Sequence, residues 1–95
     1  MEITEAVINN WKAQYGDVYR IKIGDHIAYI RKPNRKDISF LSRIADDYVK
    51  YNEAILNNCW LGGDEDIKTN DDLFFSVAAQ LDSLMMVKRA ELEKL

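Results

Sequence analysis

His26, Cys59 and the acidic run Asp64-Glu65-Asp66 are the residues of this 95-residue chain whose types could carry chemistry. His26 is the only histidine and follows Gly24-Asp25 in a turn-like stretch. A histidine general base needs a positioned partner, and a histidine metal ligand needs companions. Its sequence neighbour Asp25 suits a turn on its own account, so a solvated turn histidine is the better reading. Cys59, the only cysteine, would need a general base nearby to act as nucleophile. Flanked by Leu56, Trp60 and Leu61, it reads as a small buried hydrophobe. One thiol forms no internal disulfide, which fits a reducing compartment.

The acidic run, followed by Asp71-Asp72, invites a calcium reading. An EF-hand loop places oxygen ligands at alternate positions, glycine sixth and glutamate twelfth. Counted from Asp64, positions three, five, six and twelve hold Asp66, Lys68, Thr69 and Phe75; counted from Asp66, Lys68 is third and Asp71 sixth. Both frames fail, and a polar loop leading into a helix cap accounts for the acids. Gly62-Gly63 matches neither a P-loop nor a dinucleotide fingerprint. No catalytic residue, cofactor site or metal site is expected.

Two surfaces remain as candidates for holding a partner. Arg31, Lys32, Arg35 and Lys36 straddle Pro33 as the only basic cluster and could meet phosphate or an acidic protein. Met85 and Met86 could line an adaptable groove, and Leu92 and Leu95 continue the same apolar pattern. The net charge of −3 and pI near 5.1 give no overall positive field for nucleic acid. A small nucleic-acid-associated regulator using the basic cluster is therefore the second reading, behind a protein-binding module. Composition is that of one globular domain, with 47% hydrophobic, 11% aromatic and 31% charged residues. The acidic start Met1-Glu2-Ile3-Thr4-Glu5 is unlike a signal peptide, and no run of 18 apolar residues suggests a membrane span. Cytoplasm is the expected address.

The elements that must position these residues follow from periodicity. Ile3, Val7, Trp11 and Tyr15 recur at i+4, so residues 4–15 read as a helix capped by Thr4 and stopped by Gly16. Residues 18–32 read as a β-hairpin, with β-branched and aromatic runs on either side of Gly24-Asp25-His26 and Pro33 as its end. Two strands alone are marginal, so a helix must cover one face. Asn34, with Asp37 three residues on, opens a helical region over 35–60. Its stripe is Ile38, Leu41, Ala45, Tyr48, Asn52, Ile55 and Cys59, and a break near 47–52 is left open. An acidic loop over 62–70 leads to a cap at Asn70 or Asp71 and a terminal helix over 71–93, with the stripe Phe74, Val77, Leu81, Leu84, Lys88 and Leu92. The expected fold is α+β: an N-terminal helix, a β-hairpin, then two or three helices around one core, in a single domain over 1–95.

Tyr15-Gly16-Asp17-Val18-Tyr19, Ala28-Tyr29-Ile30-Arg31-Lys32-Pro33 and Leu56-Asn57-Asn58-Cys59-Trp60-Leu61-Gly62-Gly63-Asp64-Glu65-Asp66-Ile67 occur in this order before the last helix. This arrangement, across roughly residues 13–92, resembles small prophage-encoded proteins similar to the tail assembly chaperones of long-tailed bacteriophages. The hairpin ends in a Lys-Pro-x-Arg step, here Lys32-Pro33-Asn34-Arg35, ahead of the Asn-Cys-Trp-x-Gly-Gly-Asp-Glu segment. The resemblance implies a non-enzymatic role in the cytoplasm of the host bacterium. Such proteins coat the tape measure protein, help recruit tail tube subunits, self-associate and are absent from the finished virion. No partner-binding residue set is implied position by position.

Overall fold

The computed structural model of the chain describes residues 3–85 and 90–95. Its elements are α1 (Glu5–Tyr15), β1 (Val18–Ile23), β2 (His26–Arg31), α2 (Arg35–Leu41), α3 (Tyr48–Cys59), β3 (Trp60–Gly63), α4 (Asp66–Thr69) and α5 (Asp71–Leu81), followed by a 3₁₀ turn over Asp82–Met85. The fold is α+β, as its sequence pattern indicates.

Helix starts are chosen by short polar side chains that satisfy first-turn amides. Thr4 Oγ1 accepts from the Val7 N–H at 3.3 Å, and Asp47 Oδ1 from Lys50 N–H at 3.0 Å. Asn70 Oδ1 accepts from Leu73 N–H at 3.1 Å, which selects Asn70 over Asp71 as the cap of α5. Asn34 and Asp37 form a reciprocal capping box, each backbone N–H donating to the other's side chain at 2.9 Å.

The sheet is antiparallel in the order β1-β2-β3. β1 and β2 are joined by Gly24-Asp25 alone, with Ile23 opposite His26. Gly24 has φ +56 and Asp25 does not share the positive region, the pattern of a type II′ turn. His26 is thus the first residue of β2 rather than part of the turn. β3 was not expected: it runs from the end of the anticipated 35–60 helical region into the start of the anticipated 62–70 loop. It pairs Gly63 with Ala28, Gly62 with Tyr29 and Trp60 with Ile30, with a register shift that leaves Leu61 as the extra residue of a bulge. α4 forms one further turn in the same stretch and seats Ile67 at 0% exposure in the core.

Alternation places the two sides of β2 in different layers. Ala28 and Ile30 are fully buried beneath α3 and α5, together with Leu41, Ile55, Leu56, Cys59, Ile67, Phe74, Val77, Leu81 and Leu84. Tyr29 faces the other way, under α1, where its ring centroid lies 5.7 Å from that of Trp11. Helices therefore cover both faces of the sheet, not one. Within α3 the buried residues are Asn52, Ile55, Leu56 and Cys59, and within α5 they are Phe74, Val77, Ala78 and Leu81. Both sets follow the i, i+3, i+4, i+7 spacing of a one-sided helix.

The 35–60 region, whose pattern leaves a break near 47–52 open, is two helices, and the break lies earlier, in turns through residues 42–47 in which Arg43, Ile44 and Asp47 donate to carbonyls three residues back. A break resets helical phase, so the expected stripe does not run through: Leu41, Asn52, Ile55 and Cys59 are buried, whereas Ile38 and Tyr48 are exposed. The terminal helix expected over 71–93 is α-helical only to Leu81 and 3₁₀ to Met85. Among the described residues, Leu84 is the last of the stripe packed on the core. Asp82 and Ser83, which compete for backbone hydrogen bonds, fall where the helix tightens. Residues 90–95 carry no regular secondary structure, so Leu92 and Leu95 do not extend a helical stripe. Met86 and Lys88 lie outside the described residues.

Candidate functional site

The basic cluster is divided by the fold. Arg31, at the end of β2, points its guanidinium inward, with its side chain 16% exposed. Nη1 donates to Asp37 Oδ2 at 2.7 Å, and Nη2 donates to the Asn58 carbonyl at 2.9 Å. The Arg31 hydrogen bond holds the Asp37 carboxyl below its ordinary pKa, against the opposing effect of burial. One side chain thus ties the strand to the first turn of α2 and the last turn of α3. Arg31 is a structural cation, a correction to its expected place among surface partner contacts. Lys32 is partly buried, and Arg35 and Lys36 lie exposed on the first turn of α2.

The chemical candidates are placed as follows. Cys59 is fully buried, and burial pushes its thiol up to about 11. At neutral pH that thiol is protonated and shielded, the opposite of an activated nucleophile. His26 Nδ1 lies 3.5 Å from Asp64 Oδ2, a partner 38 residues away in sequence rather than Asp25. Asp64 Oδ2 also accepts the Ile27 N–H at 3.1 Å, while the Asp64 N–H donates to the Ile27 carbonyl at 2.8 Å. This carboxylate pins the end of β3 to the start of β2. Among the described residues no group of three His, Cys, Asp or Glu side chains is arranged to hold a metal, and no helix is long and apolar enough to cross a membrane.

A different surface emerges where α3, α4 and α5 meet. Val49 and Phe75 are 41% and 48% exposed and share the lining of a hollow of about 260 Å³ with Phe74, Glu53, Lys68 and Asp71. The Phe74 and Phe75 rings meet edge to face at 5.3 Å between centroids, which fixes the exposed ring against the buried one. Lys68 is held at the rim by Glu65, at 3.2 Å, and by the Trp60 ring, 4.3 Å from its centroid. Tyr48, 54% exposed, begins the same helix as Val49. A hollow below the roughly 300–1,000 Å³ of small-molecule sites, lined in equal number by apolar side chains and by charges of both signs, suits an anchoring side chain of a protein partner. Ile38 and Phe40 add exposed apolar surface on α2.

None of these apolar residues was among the expected contacts. Tyr48 and Ile38 belong to the expected stripe that the break at 42–47 interrupts. Phe75 had a readable signal: it falls outside the i, i+3, i+4, i+7 set that starts at Phe74 and includes Val77, Ala78 and Leu81. Of the expected contacts, Met85 ends the 3₁₀ turn, Met86 is outside the described residues, and Leu92 and Leu95 are fully exposed. Comparison with protein-family profiles, with curated proteins and with solved structures finds no match to the chain.

Proposed function

We propose that this chain is a non-enzymatic protein-binding module, a tail assembly chaperone of the kind its sequence resembles. Its client is the tape measure protein, a long, largely helical chain whose apolar stripe would aggregate before the tail tube surrounds it. The observation that carries the reading is the exposed Val49–Phe75 pair around a hollow with a charged rim. Exposed apolar side chains grouped on one surface mark places where proteins meet. A client helix laid there inserts one apolar residue between Val49 and Phe75, while Glu53, Lys68 and Asp71 pair with its polar flank. The chaperone works in the host cytoplasm, aids recruitment of tail tube subunits and leaves before the virion is complete.

Nucleic-acid association through residues 31–36 has less to work with, because Arg31 is engaged internally. Co-expression with a tape measure protein tests the proposal: a soluble complex that co-purifies is expected. An insoluble client with no co-purification overturns it.

A further inference from the structure

β1 is an edge strand, and no described residue pairs with its outer side. A two-residue turn makes Ile23–His26 a hydrogen-bonded pair, so alternation sends the N–H and C=O of Lys22, Arg20 and Val18 outward. Beside this edge a groove of about 400 Å³ runs between β1 and α5. Ile21, Ile23 and Leu84 give it an apolar floor, and Ser76, Gln80 and Ser83 a polar wall. Arg20 and Lys22 also border the groove, both exposed and two residues apart, and alternate with Ile21 and Ile23 along the strand; Arg20 leans toward the Tyr29 ring at 6.0 Å. A strand added here must therefore carry acids at i and i+2 with an apolar residue between them.

The chain contains that pattern. Glu91-Leu92-Glu93 has two acids at i and i+2 flanking a leucine, and Leu92 is 100% exposed in backbone without regular structure. We propose that residues 90–95 of a second copy add to the outer edge of β1 as a fourth strand. Glu91 and Glu93 then face Arg20 and Lys22, Leu92 enters the groove over Ile21 and Ile23, and Lys94 meets the polar wall. Among the described residues the acidic segment is exposed and does not pair with its own β1, and its charges complement that edge, so a second copy is the occupant. Reciprocal exchange closes a twofold dimer and covers both open edges at once. This self-association surface is separate from the Val49–Phe75 hollow and does not depend on the client.

Light scattering of the full chain across a concentration series, at low and physiological salt, tests the exchange. The wild type is expected to dimerise. R20E/K22E and E91K/E93K should each weaken the dimer by about tenfold or more, with circular dichroism unchanged, and the four substitutions combined should restore it. Leu92→Ser should weaken it without touching charge. A chain that stays monomeric at every concentration overturns the proposal, as does a dimer indifferent to both charge reversals. A monomer whose β1 amides are protected from exchange independently of concentration also overturns it, since the segment would then dock on its own copy.

Discussion

Arg31 Nη1 and Asp37 Oδ2 are 2.7 Å apart, and the same guanidinium reaches the Asn58 carbonyl. Both partners are mostly buried, and Asp37 also accepts the Asn34 N–H of the capping box. Losing either side chain leaves the other charge poorly solvated. Arg31→Met and Asp37→Asn should each cost about 1–3 kcal/mol in urea unfolding, and the double variant less than the sum of the two.

The pair also sets a pH dependence. The Asp37 pKa in the folded chain lies below its ordinary value of 3.8, chiefly through the Arg31 hydrogen bond. A carboxylate with a depressed folded pKa stabilises above its unfolded value and loses that contribution as pH falls through the folded one. The stability gap between wild type and Asp37→Asn should therefore hold from neutral pH down to about the ordinary carboxylate range, then narrow on further acidification. Urea midpoints measured along an acid series check this.

Gly63 has φ +129, and a Cβ there would collide with the Ile27 carbonyl oxygen and sit 2.8 Å from Ala28 Cα. Backbone blocks the space, so no side-chain movement relieves it. Gly63→Ala should cost about 2–4 kcal/mol and weaken the β2–β3 pairing. Thermal unfolding gives the first quantity, and amide exchange at Ala28 and Asp64 the second.

Cys59 should resist alkylating reagents in the folded chain and react fully once unfolded. Burial raises its pKa from 9.0 to about 11, so the folded state binds its proton more tightly than the unfolded state. Stability should accordingly fall as pH rises from about 9 toward 11. Cys59→Ser should cost about 1–3 kcal/mol by burying a hydroxyl in the apolar core cluster to which Cys59 belongs. Rapid labelling at neutral pH without denaturant would contradict this placement.

What the sequence reveals of this fold depends on how local the cause is. α1, the hairpin and the caps at Thr4 and Asn34 rest on near neighbours in sequence and are legible, while the cap of α5 is narrowed only to Asn70 or Asp71. β3 is not, because Trp60-Leu61-Gly62-Gly63 lacks β-branched residues; it is a strand since Gly63 alone fits against Ile27 and Ala28. The partnership of His26 with Asp64 has the same long-range origin. The candidate surface escaped notice because a stripe through 38–59 assumes continuous helical phase, and turns at 42–47 end it. Among the expected contacts, Arg31 had the right chemistry for a surface cation, and only its distance from Asp37 and Asn58 revealed its internal role.

The central claim is that the Val49–Phe75 hollow holds an apolar-striped helical client. Isothermal titration of the full chain with helical segments of a tape measure protein, beside a V49D/F75D variant, tests it most directly. The wild type should bind, and the variant should fold alike yet bind at least about thirtyfold more weakly, the loss of about 2 kcal/mol typical of a hot spot. Equal binding by both proteins, or no heat from either, would contradict the account.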